Sequence, residues 1–411
     1  MKKIVVLSMT GILLIALSVT AGASDELEVS GSLQSDLIYN SDSKELNDQA
    51  AINLILERDF GFGANMYLDL ELTGSHNQTA ETKIAAAYLN YYTKNMDWRL
   101  GKQKINWGSA YKLQPTDYFN PYDFTKLKPL DNKLGVKAVK GIYYGKQGLE
   151  VTGVIIPFFK SNELPNEEEQ MTNLAADIVG TMPGITLDSN APYTGLQVKD
   201  KLENVQAGFK VTKRAYQGFD LSASLYQGCD QQPLVDLNAT RKTVDPAQGD
   251  NQATVNFVYP ENTRVGIDII GDITDYEIGW WTEAVYSSYQ NEQFGKRWQI
   301  AAGLDYTFAN NLYLVGQAYY QQGRIAEEAD SKLVSLHFDQ PVLDFHSWES
   351  TLKYDWAAEV YVIDAQFNYS LADAVELQLG ASYVNENNSN EGNLLTMAAE
   401  DRAYSTLRVD F

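Results

Sequence analysis

The sequence predicts an all-β fold, a transmembrane antiparallel β-barrel of about 16 strands, and three observations carry that expectation. The first is alternation. In Ala64–Thr73 the residues Asn65, Tyr67, Asp69, Glu71 and Thr73 interleave with Ala64, Met66, Leu68, Leu70 and Leu72. Phe219–Gln227, Trp298–Phe308, Ala374–Val384 and Ala403–Phe411 repeat the pattern. Successive strand side chains point to opposite faces, so each segment has one apolar and one polar face. Some of these segments exceed the usual five or six residues of a strand, and about 10 tilted residues cross a bilayer. The second observation is the spacing of the connections, which alternate between tight turns and long loops. The third is the start of the chain, which reads as an export signal.

The elements follow in order. Lys2 and Lys3, the apolar stretch Ile4–Thr20 and the small residues Ala21-Gly22-Ala23 make residues 1–23 a cleavable signal peptide, the alternative being a retained anchor. Residues 24–411 are then the barrel. Tight turns are expected at Phe60-Gly61, Lys94–Met96, Gly145–Gly148, Arg214–Gly218, Asp272–Asp275, Ala309-Asn310 and Leu371–Asp373. Long connections are expected near 41–48, 75–81, 107–133, 159–203, 230–262, 291–296, 324–356 and 387–400. Strict alternation of the two kinds gives 16 strands, give or take two, with short periplasmic turns, long outer loops and both termini on one side. The segment 250–262 is either a strand of its own or the approach to a strand at Arg264–Gly271. The last strand stops on Phe411. That ending resembles the terminal signal of bacterial outer-membrane barrels, which implies recognition by the barrel assembly machinery.

Composition agrees. After the leader no second run of about 18 apolar residues occurs, so no membrane-spanning helix is expected. The 26 Tyr and 7 Trp suit two aromatic girdles. A formal net charge of −22 argues against nucleic acid as a partner. The single Cys229 excludes an internal disulfide and a cysteine metal site. His76, His337 and His346 all fall in expected outer loops and lack metal-ligand spacing, so neither a metal nor another cofactor is expected. Outer-membrane phospholipases resemble this class of barrel and need a Ser–His arrangement on the lipid-facing wall, yet no expected strand carries a His. With no GxSxG, P-loop or GxGxxG in a useful context either, catalysis is not expected.

The inward parity identifies a lumen. Asp69, Glu71, Asp220, Glu277, Glu283, Asp305, Asp364 and Glu376 fall on it, with Asn65, Ser222, Ser224, Gln299, Gln317, Asn368 and Gln378 as uncharged partners. Inward bases are fewer: Arg58, Arg99 and Arg408. Such a wall focuses negative potential and concentrates cations. The competing reading is a closely packed barrel whose acids pair with bases. Tyr67, Tyr226, Tyr313 and Tyr319 offer a stacking track for sugars or aromatic solutes.

The most distinctive segment is Gly101–Phe124, GKQKINWGSAYKLQPTDYFNPYDF. It resembles a group of largely uncharacterised porin-like outer-membrane proteins of Gram-negative bacteria, which carry G-[KR]-Q-x-I-x-W-G followed by N-P-x-D-x-F-N-P. Gly101, Lys102, Gln103, Ile105, Trp107, Gly108, Pro115, Asp117, Phe119, Asn120 and Pro121 match, and Gln114 stands in the place of the first Asn. The resemblance spans about two dozen residues; it implies a barrel and, loosely, transport, and names no substrate. The segment follows the fifth strand as the third outer loop, which in general porins folds inward. Pro115 and Pro121 restrict its backbone, and Asp117 and Asp123 are suited to cap turns. Strict alternation points Lys102 and Lys104 at lipid. A bulge near Gly101 instead turns Arg99, Lys102, Lys104 and Asn106 inward, opposite Asp117, Asp123 and Asp131. In the first case the lysines meet lipopolysaccharide phosphates at the rim and the loop is a surface cap.

The fourth outer loop holds the one helical signal: Pro165 at its start, Glu167–Glu169 in the first turn, Gly180 at its end, and Met171, Leu174 and Ile178 as an apolar stripe. Two functions fit the whole. One is a passive channel for cations or small polar solutes; the other is a structural barrel that anchors another envelope component. Outer-membrane lipid is the expected surrounding, and a homotrimer is left open.

Overall fold

The computed structural model describes residues 27–411 except 42, 77–78, 181, 183–184, 197–203, 237–240, 246–249, 324–329 and 386–399. The expected signal peptide lies outside the described residues. Eighteen strands hydrogen-bond into one sheet. They are β1 (Leu27–Asn40), β2 (Glu45–Gly61), β3 (Ala64–Gly74), β4 (Glu81–Tyr92), β5 (Met96–Gln103), β6 (Val136–Tyr144), β7 (Leu149–Ile156), β8 (Gln206–Tyr216), β9 (Phe219–Cys229), β10 (Glu261–Ile273), β11 (Ile278–Tyr289), β12 (Lys296–Thr307), β13 (Tyr313–Gln321), β14 (Ser331–Val342), β15 (His346–Asp355), β16 (Val360–Ala372), β17 (Val375–Asn385) and β18 (Arg402–Asp410). β1 also pairs antiparallel with β18, Ser32 opposite Asp410 and Asn40 opposite Arg402, so the sheet closes into a barrel and leaves no edge. Phe411 completes the seam: its N–H donates to Gly31 O at 3.0 Å and its carbonyl accepts from Gly31 N at 2.9 Å.

The barrel has two more strands than the central expectation. The difference is the hairpin β14–β15, which lies inside the stretch 324–356 read above as one long loop. Its turn, Leu343-Asp344-Phe345, contains no Gly, Asn or Pro, and Leu343 adopts φ 57° there. Elsewhere the tight turns carry the usual marks, as at Gln217-Gly218 with φ 52° and 92°, the positive values that tight hairpins favour. Leu343 and Phe345 are both largely exposed. Apolar turn tips of this kind suit the bilayer interface and not water, so a search for polar turn residues passes over them.

The outward face is apolar all round: Leu37, Leu89, Leu100, Ile155, Phe209, Leu225, Val265, Ile267, Ile300, Leu304, Leu352 and Leu379 are among its exposed side chains. A patch this large exceeds anything a water-facing surface carries, and marks a membrane-facing belt. Aromatic residues flank it, Tyr91, Tyr92, Trp98, Tyr143, Tyr144 and Trp348 on the short-turn side and Tyr39, Trp298, Tyr354, Trp356 and Tyr383 on the long-loop side. The described residues contain no helix long and apolar enough to span a membrane, and the strands do the spanning.

The fourth and fifth outer loops form a small α/β cap. Helix α1 (Glu167–Gly180) packs on a strand at Asp250–Val258, which pairs with Leu234–Val235, Arg241–Asp245, Thr186–Leu187 and Tyr193–Thr194. The segment 250–258 is thus a strand of its own, outside the barrel. The buried stripe of α1 is Met171, Ala175 and Val179, packed on Ala253, Val255 and Phe257. It is rotated by about one residue from the expected Met171–Leu174–Ile178 line; Leu174 is exposed and Ile178 is at the margin. Small Ala175 allows the close approach of helix and strand that the larger Leu174 would block.

Candidate functional site

The site is the barrel interior and the loop that enters it. Between β5 and β6 the chain leaves the wall at Lys104 and returns at Val136. It does not form a surface cap. Residues 103–107 alternate in burial: Gln103, Ile105 and Trp107 are buried, and Lys104 and Asn106 are exposed. Ile105, Trp107, Tyr118 and Phe119 make one apolar cluster with the wall residues Val136, Ala138, Val154, Ile156, Tyr226 and Val285. Trp107 stands edge-on to Phe119 with ring centroids 4.6 Å apart. Asn120 closes the base of the loop by exchanging hydrogen bonds with the Ile105 backbone at 3.1 and 2.7 Å. The loop tip carries a second cluster, Ala110, Leu113 and Leu130 against Trp281, Ala301, Val315, Tyr319, Leu333, Val360 and Val362.

Polar anchors fix the loop to the same wall. Glu283 on β11 is fully buried, and its carboxylate accepts the backbone N–H groups of Ser109 and Ala110 (both 2.6 Å) and Thr116 (2.9 Å), plus the Thr116 hydroxyl at 2.9 Å. Ser109 Oγ donates to Asp268 at 2.5 Å. Gln317 accepts the Tyr111 N–H at 2.8 Å and donates to Tyr111 O at 2.9 Å. Lys210 Nζ donates to Trp107 O at 2.6 Å. A buried carboxylate requires donors, and here the loop backbone supplies them.

Two contacts reach across to the remaining wall, where Lys126 pairs with Glu71 and Arg402 donates to Leu127 O, and Lys128 hydrogen-bonds Gln366 farther along β16. On that side a cavity of about 490 Å³ is bordered by Ser30, Ser32, Gln34, Asn53, Glu71 and Arg408, with Ala51 and Ile55 between them. A second cavity of about 210 Å³ lies between the loop tip and β14–β16 and is bordered by Tyr111, Asp131, His337, Asp339, Glu349 and Lys353.

The expected site residues distribute as follows. Arg99 faces the lumen, its guanidinium 4.0 Å from the Tyr88 ring centre, with Nε donating to Asn90 at 2.7 Å. Lys102 does not. The register through β4, β5 and β6 is unbroken at Gly101, so Lys102 shares the outward parity of Leu100 and donates to Ile84 O. No bulge forms on β5; the slip is on β4 at Ala85. Gly101 instead adopts φ 128°, and an added Cβ would collide with the Ala87 carbonyl. Lys104 and Asn106 lie on the exposed face of the entering segment, and the Lys104 charge acts on Asp69.

The loop acids are partnered. Asp117 is buried against Lys133, and burial pushes its carboxyl up while the Lys133 charge and hydrogen bond oppose the rise. Asp123 is buried and caps a turn, accepting the Thr125 N–H at 3.0 Å. Asp131 pairs with Lys112. Asp117 and Asp123 therefore do not face Arg99 and Lys104 across an opening.

The lumen acids also need revision. Asp69, Glu71, Asp220, Glu283, Asp305, Asp364 and Glu376 sit at inward positions, but Glu277 lies in the turn after β10 at φ 55°, not on a strand. Glu71, Asp220 and Asp364 are ion-paired to Lys126, Arg214 and Lys353, bases absent from the earlier tally. Arg58 pairs with outward Met66 and lies over Phe60, so it is no lumen base. The tyrosine track is broken: Tyr226 and Tyr319 are buried, and Tyr67 stacks on Tyr88 at 4.9 Å. His337 and His346 belong to strands, contrary to their placement in loops. His337 faces inward, 2.9 Å from the Thr351 hydroxyl, and His346 accepts the Ser370 N–H at 3.2 Å and stacks on Tyr369 at 4.3 Å.

Glu283 and Asp268 as loop anchors, and Lys126 and Lys133 as partners, escaped the reading of the sequence. A signal for the docking wall did exist. Val154, Ile156, Val285, Val315, Leu333 and Val362 are apolar at inward positions, where a water-filled barrel needs polar groups.

Comparison with solved structures gives the same architecture. OccK11 of Pseudomonas aeruginosa matches over 94% of this chain and 96% of that one, with a TM-score of 0.58 at 8% identity. OccK5 of the same organism matches over 95% and 99%, with a TM-score of 0.57 at 8% identity. Likeness at this identity concerns the fold, a closed antiparallel barrel. No protein-family model and no curated protein matches the sequence.

Proposed function

We propose that the protein is a porin-like channel of the outer membrane through which ions and small polar solutes diffuse along the β1–β4 and β18 side of the lumen. The observation that carries this reading is the asymmetry of the interior: the third loop packs two apolar clusters against β6–β16, while the opposite wall, rich in Ser, Gln, Asn and Asp, borders open space. An interior this wide exceeds what inward side chains fill by themselves. A modest cation preference belongs to the proposal. Asp69 and Glu376 accept hydrogen bonds from neutral donors, Asn53 at 2.8 Å and Gln378 at 2.5 Å, while Glu71, Asp220 and Asp364 are ion-paired to bases.

Planar-bilayer recording tests both parts. Discrete conductance steps with a reversal potential of cation sign in a salt gradient are expected. An anion-signed potential would overturn the selectivity, and a sealed barrel would favour the structural alternative, for which the two cross-lumen contacts of the loop speak. Membership of the porin-like group that shares the Gly101–Pro121 motif, export through residues 1–23 and recognition of Phe411 by the assembly machinery complete the proposal. A homotrimer remains compatible with it.

A further inference from the structure

We propose that the outer rim of β4–β6 binds the phosphate of an outer-leaflet lipid headgroup, with Lys102 and Lys137 as its principal ligands. The two lysines stand directly opposite each other in the β5–β6 register, on the outward parity of Leu100 and Val139. Like charges at directly opposed positions repel, and a lipid-facing ammonium is costly unless it reaches a polar partner. Their surroundings add more positive charge. The charges of Lys160, Lys137 and Lys83 act on Lys102 against that of Glu163. Lys137 Nζ lies 5.5 Å from the centre of the exposed Phe158 ring, and Lys102 Nζ donates to Ile84 O beside the β4 slip.

The carboxylates here are Glu163, 3.3 Å from Lys83 and 3.0 Å from Lys160, and Glu81, 3.7 Å from Lys83. Burial acts to raise the Glu163 carboxyl, and the hydrogen bonds and charges of Lys160 and Lys83 overcome it, so it sits below the usual carboxylate range. Both acids are engaged directly by Lys83 and Lys160; the Glu163 charge also reaches Lys102, but four lysines here face two carboxylates in a chain whose net charge is −22.

The local shape fits a lipid. β5, β6 and β7 have 8, 9 and 8 residues against 14 and 17 for β1 and β2. The wall is low here, and long lysine stems carry their amines upward along it. Just below lie exposed Leu89, Leu100, Val139 and Ile155, an apolar track for acyl chains. A phosphate at the rim would accept charge-assisted hydrogen bonds from both amines while its chains lie on that track.

The test uses the full barrel in detergent micelles, titrated with bisphosphorylated lipid A and followed by native mass spectrometry. Wild type should retain the lipid, the K102Q/K137Q variant should bind it at least tenfold more weakly, and K102R/K137R should restore most of the binding. A circular-dichroism melt matching wild type shows that the variants are folded. Unchanged retention in K102Q/K137Q would overturn the site. Equal binding of dephosphorylated lipid A would overturn the headgroup reading, and saturation by inorganic phosphate alone would overturn the lipid. An oligomer that K102Q/K137Q dissociates would assign the face to a second copy of the chain instead. Channel conductance plays no part in the readout, so this proposal and the transport reading fail separately.

Discussion

The two halves of the barrel interior obey the same alternation and do different things with it. Along β6–β16 the inward positions include Val154, Ile156, Val285, Ala301, Val315 and Val362, all buried beneath the third loop. Along β1–β3 and β18 they include Ser30, Ser32, Gln34, Asn53, Asp69, Glu71 and Arg408, with few apolar residues such as Ala51 and Ile55 among them, and a cavity borders most of these. One half behaves as a protein core, where removing atoms costs stability. On the proposed channel reading the other is a wetted surface, where charge changes would alter what passes and scarcely affect folding. Polarity at the inward parity therefore reports where the loop docks as well as which face is inside.

Four substitutions can break or sharpen that comparison. Glu283→Ala removes the acceptor of three backbone N–H groups and a hydroxyl; a loss of about 3–5 kcal/mol in denaturant unfolding is expected, together with a larger single-channel conductance as the loop loosens. A variant with wild-type stability and conductance would mean that the loop is not held from β11. Phe119→Ala leaves a cavity between Trp107, Tyr118 and Tyr226 and should cost about 3 kcal/mol. If it changes ion selectivity instead of the unfolding midpoint, the docked half is not a core.

Asp117→Asn strips Lys133 of its buried partner and should cost about 1–3 kcal/mol with little change in reversal potential. A shifted reversal potential at unchanged stability would return Asp117 to the passage wall. Lys126→Ala is the converse case. Its partly exposed pair with Glu71 contributes about 1 kcal/mol or less, yet freeing that carboxylate should raise the cation preference measured in a salt gradient. A large loss of stability with unaltered selectivity would show that this side, too, is packed and closed.

Much of the architecture was legible one strand at a time. Period-2 patterning in Ala64–Thr73 or Ala403–Phe411 needs no partner to be read, because a strand in lipid must turn one face to the chains and the other away. Turns with Gly or Asn announce themselves by backbone chemistry, whereas Leu343-Asp344-Phe345 does not, and with it two strands went unseen. The motif at Gly101–Phe124 was visible as a loop with restricted backbone, but its docking partners were not.

The sequence by itself determined the barrel class, the alternation of faces and most tight turns, and it marked Gly101–Phe124 as a restricted loop without deciding whether it enters the lumen or caps the surface. These follow from local periodicity and local conformational limits. Only the tertiary structure decided that Lys102 points to lipid, that Asp117 and Asp123 are buried, and that Glu283 is an anchor and not a pore charge. Each of those outcomes depends on register or on groups more than 100 residues apart, such as Glu283 and the 109–116 backbone. A carboxylate reads alike along the chain whether water or a folded loop supplies its donors, and that choice exists only once the loop has found its wall.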